Sequence, residues 1–186
     1  MGATAQKKSR RSLIYVCSAF IIPIVLAKLA LELEWFNYGV TNRGDLLETG
    51  LTLKELGMSE QDFNHSWLIL YRLPQECKLQ CQRILASVNN TYIALGKEMP
   101  RVKPVALIFE DLTVEQLAAI QTKHWYIQPI PSLARNVIKE PQIYIVDPLG
   151  NLVVSHIPPK ESKDLPGFGK GILADLQKLL KYSRIG

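Results

Sequence analysis

The chain has 186 residues, 47% of them hydrophobic and 21% charged, with 11 glycines and 11 prolines. That length suits one ordinary domain plus an appendage, and the composition excludes a disordered or collagen-like chain. The formal net charge of +5 first suggests nucleic acid, but Lys7, Lys8, Arg10 and Arg11 supply four of the positive charges before residue 12, with no acid among them. The remainder is close to neutral. A basic leader on a neutral domain is a membrane-topology pattern rather than a basic groove, so no nucleic-acid partner is expected. Three cysteines are too few for a miniature scaffold held by several bridges.

Residues 13–31 are uncharged apart from Lys28 and mostly apolar. As a helix they reach about 28 Å, just enough for a hydrocarbon core of about 30 Å if Lys28 snorkels to the far headgroups. Pro23 is tolerable inside such a helix. The basic leader then predicts an N-terminus in the cytoplasm and a translocated remainder. A cleaved signal peptide competes with this reading, although Lys28 and the lack of a clean A-x-A pattern fit it poorly. The organisation expected is a leader over residues 1–11, a transmembrane signal-anchor over 12–33, a juxtamembrane linker over 34–48 and a domain over 49–186. Trp35, Phe36 and Tyr38 suit a membrane interface or packing onto the domain. Both leader readings place the domain on the oxidising side of a membrane.

In the domain, residues 66–71 (SWLILY) read as a buried strand. A short loop leads to a helix over 77–95, with Leu79, Ile84, Leu85 and Val88 on its apolar face and Gly96 at its stop. Residues 104–109 form a second strand, and Thr113 caps a helix running to Lys123. Residues 141–146 form a third strand. The turn Asp147-Pro148-Leu149-Gly150-Asn151 carries the chain into a returning strand at 152–155. Asp147 reads as a turn-forming side chain rather than an acid catalyst. Residues 167–171 (GFGKG) read as a flexible loop before a last helix over 173–182. Helices between the early strands imply parallel pairing and the hairpin an antiparallel pair, giving a mixed sheet with helices on its faces.

Cys77 and Cys81 open the first helix of the domain, directly after its first strand. One helical turn apart, their sulfurs face the same way. The start of a helix is positively polarised and favours thiolate, which is both the nucleophile and the metal ligand. Three uses stay open: a disulfide, a thiolate pair gripping a soft metal such as Cu(I), or a static structural pair. Cys77, at the helix start, is expected to be the more exposed, with Cys81 as resolving thiol or second ligand.

With the strand WLILY, the C-K-L-Q-C spacing and the run P-Q-I-Y-I-V-D-P-L-G-N-L-V, the sequence resembles the thioredoxin-like superfamily over roughly residues 49–182. It is most similar to Sco-type cytochrome oxidase assembly proteins and to membrane-anchored periplasmic thioredoxin-like proteins. The resemblance implies a thioredoxin-like α/β fold in a bacterial inner-membrane protein with a periplasmic domain, and a role in assembling a respiratory oxidase, with an oxidase subunit or another assembly factor as partner. It implies copper as a metal, with Cys77 and Cys81 as ligands. It also implies that Pro141 is the cis-proline that shapes a substrate groove beside the cysteines. Two departures stand out. Gln82 replaces the proline that follows the Sco cysteines, and residues 137–141 (VIKEP) lack the Sco histidine. His65, His124 and His156 show no ligating spacing, and each is expected on the surface, solvated or hydrogen-bonded. The alternatives are a general thiol-disulfide oxidoreductase and a non-catalytic scaffold.

Overall fold

The computed structural model describes residues 3–32, 42–47, 50–108, 120, 124–138 and 140–183. They fall into two units, residues 1–41 and 42–186. The first holds helix α1 (Ala3–Glu32), with Pro23 inside it. Among the described residues no helix is long and apolar enough to cross a membrane. The side chains at 12–14 and 30–33, which the expected span includes, lie outside those residues. So do Trp35, Phe36 and Tyr38, and all of the expected helix over 113–123 except Ile120.

The second unit is built on a six-stranded mixed sheet. In chain order its elements are β1 (Asp45–Leu46), β2 (Trp67–Arg72), α2 (Leu79–Ala94), β3 (Val102–Ile108), β4 (Tyr126–Pro129), α3 (Ser132–Val137), β5 (Ile143–Val146), β6 (Leu152–His156) and α4 (Leu165–Tyr182). The strand order is β1-β6-β5-β2-β3-β4. Pairing is parallel for β2 with β3 and β3 with β4, and antiparallel for β2 with β5, β5 with β6 and β6 with β1. The mixed sheet and the terminal hairpin match expectation. The third expected strand, β5, lies antiparallel to β2 rather than continuing a parallel run.

The unbroken apolar run of β2 follows from its place at the centre. Successive side chains point to opposite faces, so a strand covered on both must be apolar at every position. Trp67, Ile69 and Tyr71 enter one core with Ile84, Leu85 and Val88 of α2 and Ile172, Leu176 and Leu180 of α4. Leu68 and Leu70 enter the other, with Leu53, Leu56, Phe63, Ile130 and Ile138. The hairpin turn is fixed by Asp147, whose Oδ1 accepts from the backbone N–H of Leu149 (2.9 Å) and Asn151 (2.8 Å), with Gly150 at φ +85°.

Residues 167–171 are helical and not a loop. Leu165 and Pro166 open α4, where proline's fixed φ suits a first turn. The glycines serve close packing. A Cβ on Gly169 would stand 3.0 Å from Thr91 Oγ1 and 3.2 Å from Ser87 Oγ of α2, and one on Gly171 would stand 3.2 Å from Arg43. Tertiary contact here outweighs the weak helix propensity of glycine.

Candidate redox site and its surroundings

Strand β2 ends at Arg72, and α2 begins at Leu79 with Lys78 as its N-cap. Cys77 therefore lies just before the helix, not in it, and Cys81 lies in the first turn. The two are joined by a disulfide across a Cα–Cα distance of 5.1 Å, inside the usual range of about 4.4–6.8 Å. The expected difference in exposure is absent: Cys77 is 5% exposed and Cys81 4%. The reason is that Cys77, ahead of the helix, folds its side chain into the core beside Tyr71, Leu73 and Ile84. On the surface above, Lys78 Nζ and Glu76 Oε2 pair at 2.7 Å.

A depression of about 290 Å³ adjoins Cys81. Its walls include Tyr71, Ile84, Pro141, Pro158, Pro159 and Lys160. Pro141 therefore shares a groove with Cys81. It does not do so through a cis peptide bond, since there is none among the described residues. A trans proline suits this place just ahead of β5, where the missing N–H leaves no gap in the sheet. Burial raises the Tyr71 hydroxyl far above its ordinary pKa, so it faces the groove as a neutral phenol.

The histidines stand as follows. His65 Nδ1 is 3.4 Å from the Pro148 carbonyl oxygen, and the His124 ring lies 5.4 Å from that of Tyr92. His156 departs from the surface expectation: it is 5% exposed, with Nε2 3.2 Å from Asp175 Oδ2. Asp175, 1% exposed, accepts the backbone N–H of Arg43 at Oδ1 (2.8 Å) and of Gly44 at Oδ2 (2.9 Å). Burial lowers the pKa of His156, against the opposing charges of Asp175 and Asp45. A signal for Asp175, though not for its partner, was present in the sequence, because it falls on the same helical stripe as Ile172, Leu176 and Leu179.

No group of three or more His, Cys, Asp or Glu side chains is poised to hold a metal among the described residues. The Cys77 and Cys81 sulfurs are bonded to each other, and a disulfide sulfur carries no thiolate charge for a metal. In this oxidised form the pair offers a copper ion no thiolate; reduction would free two.

A disulfide at the junction of a central strand and a helix, with a proline-lined groove beside it, defines a thioredoxin-like domain, the fold of thiol:disulfide oxidoreductases. The sequence model of the family described as "Transmembrane-like, thioredoxin-like, C-terminal domain" matches residues 67–183, and the chain belongs to that family. Among solved structures, it is similar to apo Sco1 protein from Thermus thermophilus, with 16% identity and a TM-score of 0.54 over 77% of this chain and 99% of that one. It is similar to a PrxQ mutant from Xylella fastidiosa, with 15% identity and a TM-score of 0.50 over 75% and 97%. A thiol:disulfide interchange protein from Bacteroides sp. aligns with 16% identity and a TM-score of 0.49 over 76% and 91%. At such identities the likeness shows the fold alone. No curated protein sequence matches the chain.

Proposed function

We propose that this protein is a membrane-tethered thiol-disulfide protein acting on the cysteines of a metalloprotein during its assembly, with the copper-site thiols of a respiratory oxidase as client. The observation that carries the reading is the Cys77–Cys81 disulfide itself, set at the opening of α2 and beside the groove containing Pro141. Thiolates released there are favoured by the unpaired N–H groups and dipole of the helix start. The reduced pair would cleave a client disulfide. One thiolate attacks a client sulfur and the other client sulfur leaves as thiolate; the second cysteine then displaces the first client sulfur. Two electrons pass to the client, and the pair closes as the disulfide seen here. Copper enters this scheme only as cargo, held by the two thiolates of the reduced form.

The basic leader and the apolar run after it support a tether to the bacterial inner membrane, with the domain in the periplasm. The exposed Phe20 and Ile24 of α1 suit a lipid-facing helix. The test is a redox titration of the folded domain in dithiothreitol buffers, paired with Cu(I) titration of the reduced protein. Reversible two-electron exchange, lost in Cys77→Ser and Cys81→Ser, supports the oxidoreductase reading. Stoichiometric Cu(I) binding lost in the same variants supports copper handling. A pair that stays oxidised throughout is a structural bridge and ends both.

A further inference from the structure

The disulfide is buried, yet one wall of the groove beside Cys81 comes from residues 157–161, which lie outside regular structure and lead into a short 3-10 turn at Ser162–Asp164. Residues 157–162 (IPPKES) run from the end of β6 towards α4, and Pro158, Pro159 and Lys160 line the depression beside Cys81. Pro158 and Pro159 have no N–H to donate. Among the described residues, no backbone–backbone hydrogen bond joins residues 157–160 to another element. Two side chains from the first turns of α2 reach across instead. Gln80 Nε2 donates to the Pro159 carbonyl at 2.8 Å, and the Arg83 guanidinium donates to Ser162 Oγ. Gln80 is the residue immediately before Cys81.

We propose that residues 157–162 form a latched strap that controls access to the Cys77–Cys81 sulfurs, with Gln80 and Arg83 as the latch. The inference rests on the reading of the pair as a redox site and adds how a thiol reaches it. With the strap closed, both cysteines are at most 5% exposed, which leaves little room for in-line approach of a thiolate. Opening parts these two side-chain contacts and lifts the half-buried Pro158 and Pro159 from the groove, while the sheet and α2 stay intact. A client that offers its own donor to the Pro159 carbonyl, or its own acceptor to Arg83, replaces the latch contacts as it binds. Gln80 and Arg83 are thus positioning residues that act through the strap.

The test uses dithiothreitol on the oxidised, folded protein, with timed quenching by iodoacetamide and counting of alkylated cysteines by mass. One dithiothreitol thiolate attacks a sulfur of the pair, the other sulfur leaves as thiolate, and the second dithiothreitol thiol closes the cyclic disulfide and frees the first. Gln80→Ala and Ser162→Ala each cut one contact, the second from an exposed strap position that leaves α2 untouched. Each is expected to speed reduction about 2- to 10-fold, the worth of one hydrogen bond in a local opening equilibrium, and the double variant more. Rates equal to or below wild type in both variants would overturn the strap. The redox titration reports separately: an unreactive pair at equilibrium defeats the proposed function, whereas unchanged rates in a reactive pair defeat only the latch.

Discussion

His156 and Asp175 meet at 3.2 Å beneath the segment that carries Arg43 and Gly44. The carboxylate thus has the histidine ring on one side and two backbone N–H groups on the other. This arrangement fastens β1 to β6 and α4, since a strand of two residues brings little pairing of its own.

Asp175→Ala is expected to destabilise the domain by about 2–4 kcal/mol, because it strips the acceptor from buried donors and leaves a cavity. Urea denaturation followed by circular dichroism measures the loss. A change below about 0.5 kcal/mol, the range of ordinary surface substitutions, would show that the 42–46 segment stands without its anchor.

Stability should fall as pH drops through the range of His156. Burial holds this histidine neutral in the fold, below its ordinary value of 6.5. The unfolded chain then takes up the proton first, so unfolding stability rises with pH between the folded and unfolded values and levels off above the latter. Thermal melts between about pH 5.5 and 7.5 should show Tm climbing and then flattening in wild type. His156→Gln should show a weaker climb; an identical profile would remove His156 from the account.

Gly44→Ala should cost about 1–3 kcal/mol by overpacking. A Cβ at this position would lie 2.5 Å from the Ser155 carbonyl oxygen and 2.6 Å from Val154 Cγ1, and the first is backbone with nowhere to turn. Equilibrium denaturation checks the magnitude, and hydrogen exchange at β6 checks the place. Unchanged protection there would mean that β1 had shifted without loss.

Reduction of the Cys77–Cys81 bridge, or Cys81→Ser, should lower stability by only about 2 kcal/mol, since so short a loop restrains the unfolded chain little. Denaturation with and without reductant measures it. Complete unfolding on reduction would reveal a structural staple instead of a pair able to cycle.

Much of the sheet was legible because its signals are dense. The run Trp67–Tyr71 is apolar on both faces, and the Asp147–Asn151 turn names its own geometry. The less visible parts were those where local preference and tertiary demand disagree. Glycines at 167, 169 and 171 argue for a loop until Thr91, Ser87 and Arg43 are seen pressed against the latter two. β4 is four residues ending in a proline, a weak strand by composition that is held by parallel pairing to β3. The cysteine pair was legible from spacing and position. Its even burial was not, because that depends on how Cys77 turns inward before the helix begins. His156 and Asp175 are far apart in the chain, and only the crossing of β6 with α4 brings them together.

The fastening of residues 42–46 bears on where the protein can be cut. A fragment trimmed to begin after Leu46 would lack the donors that answer Asp175 and the strand that borders β6, however complete its cysteine site. Separated from the first unit, the domain keeps its native edge only if the cut falls ahead of Asn42.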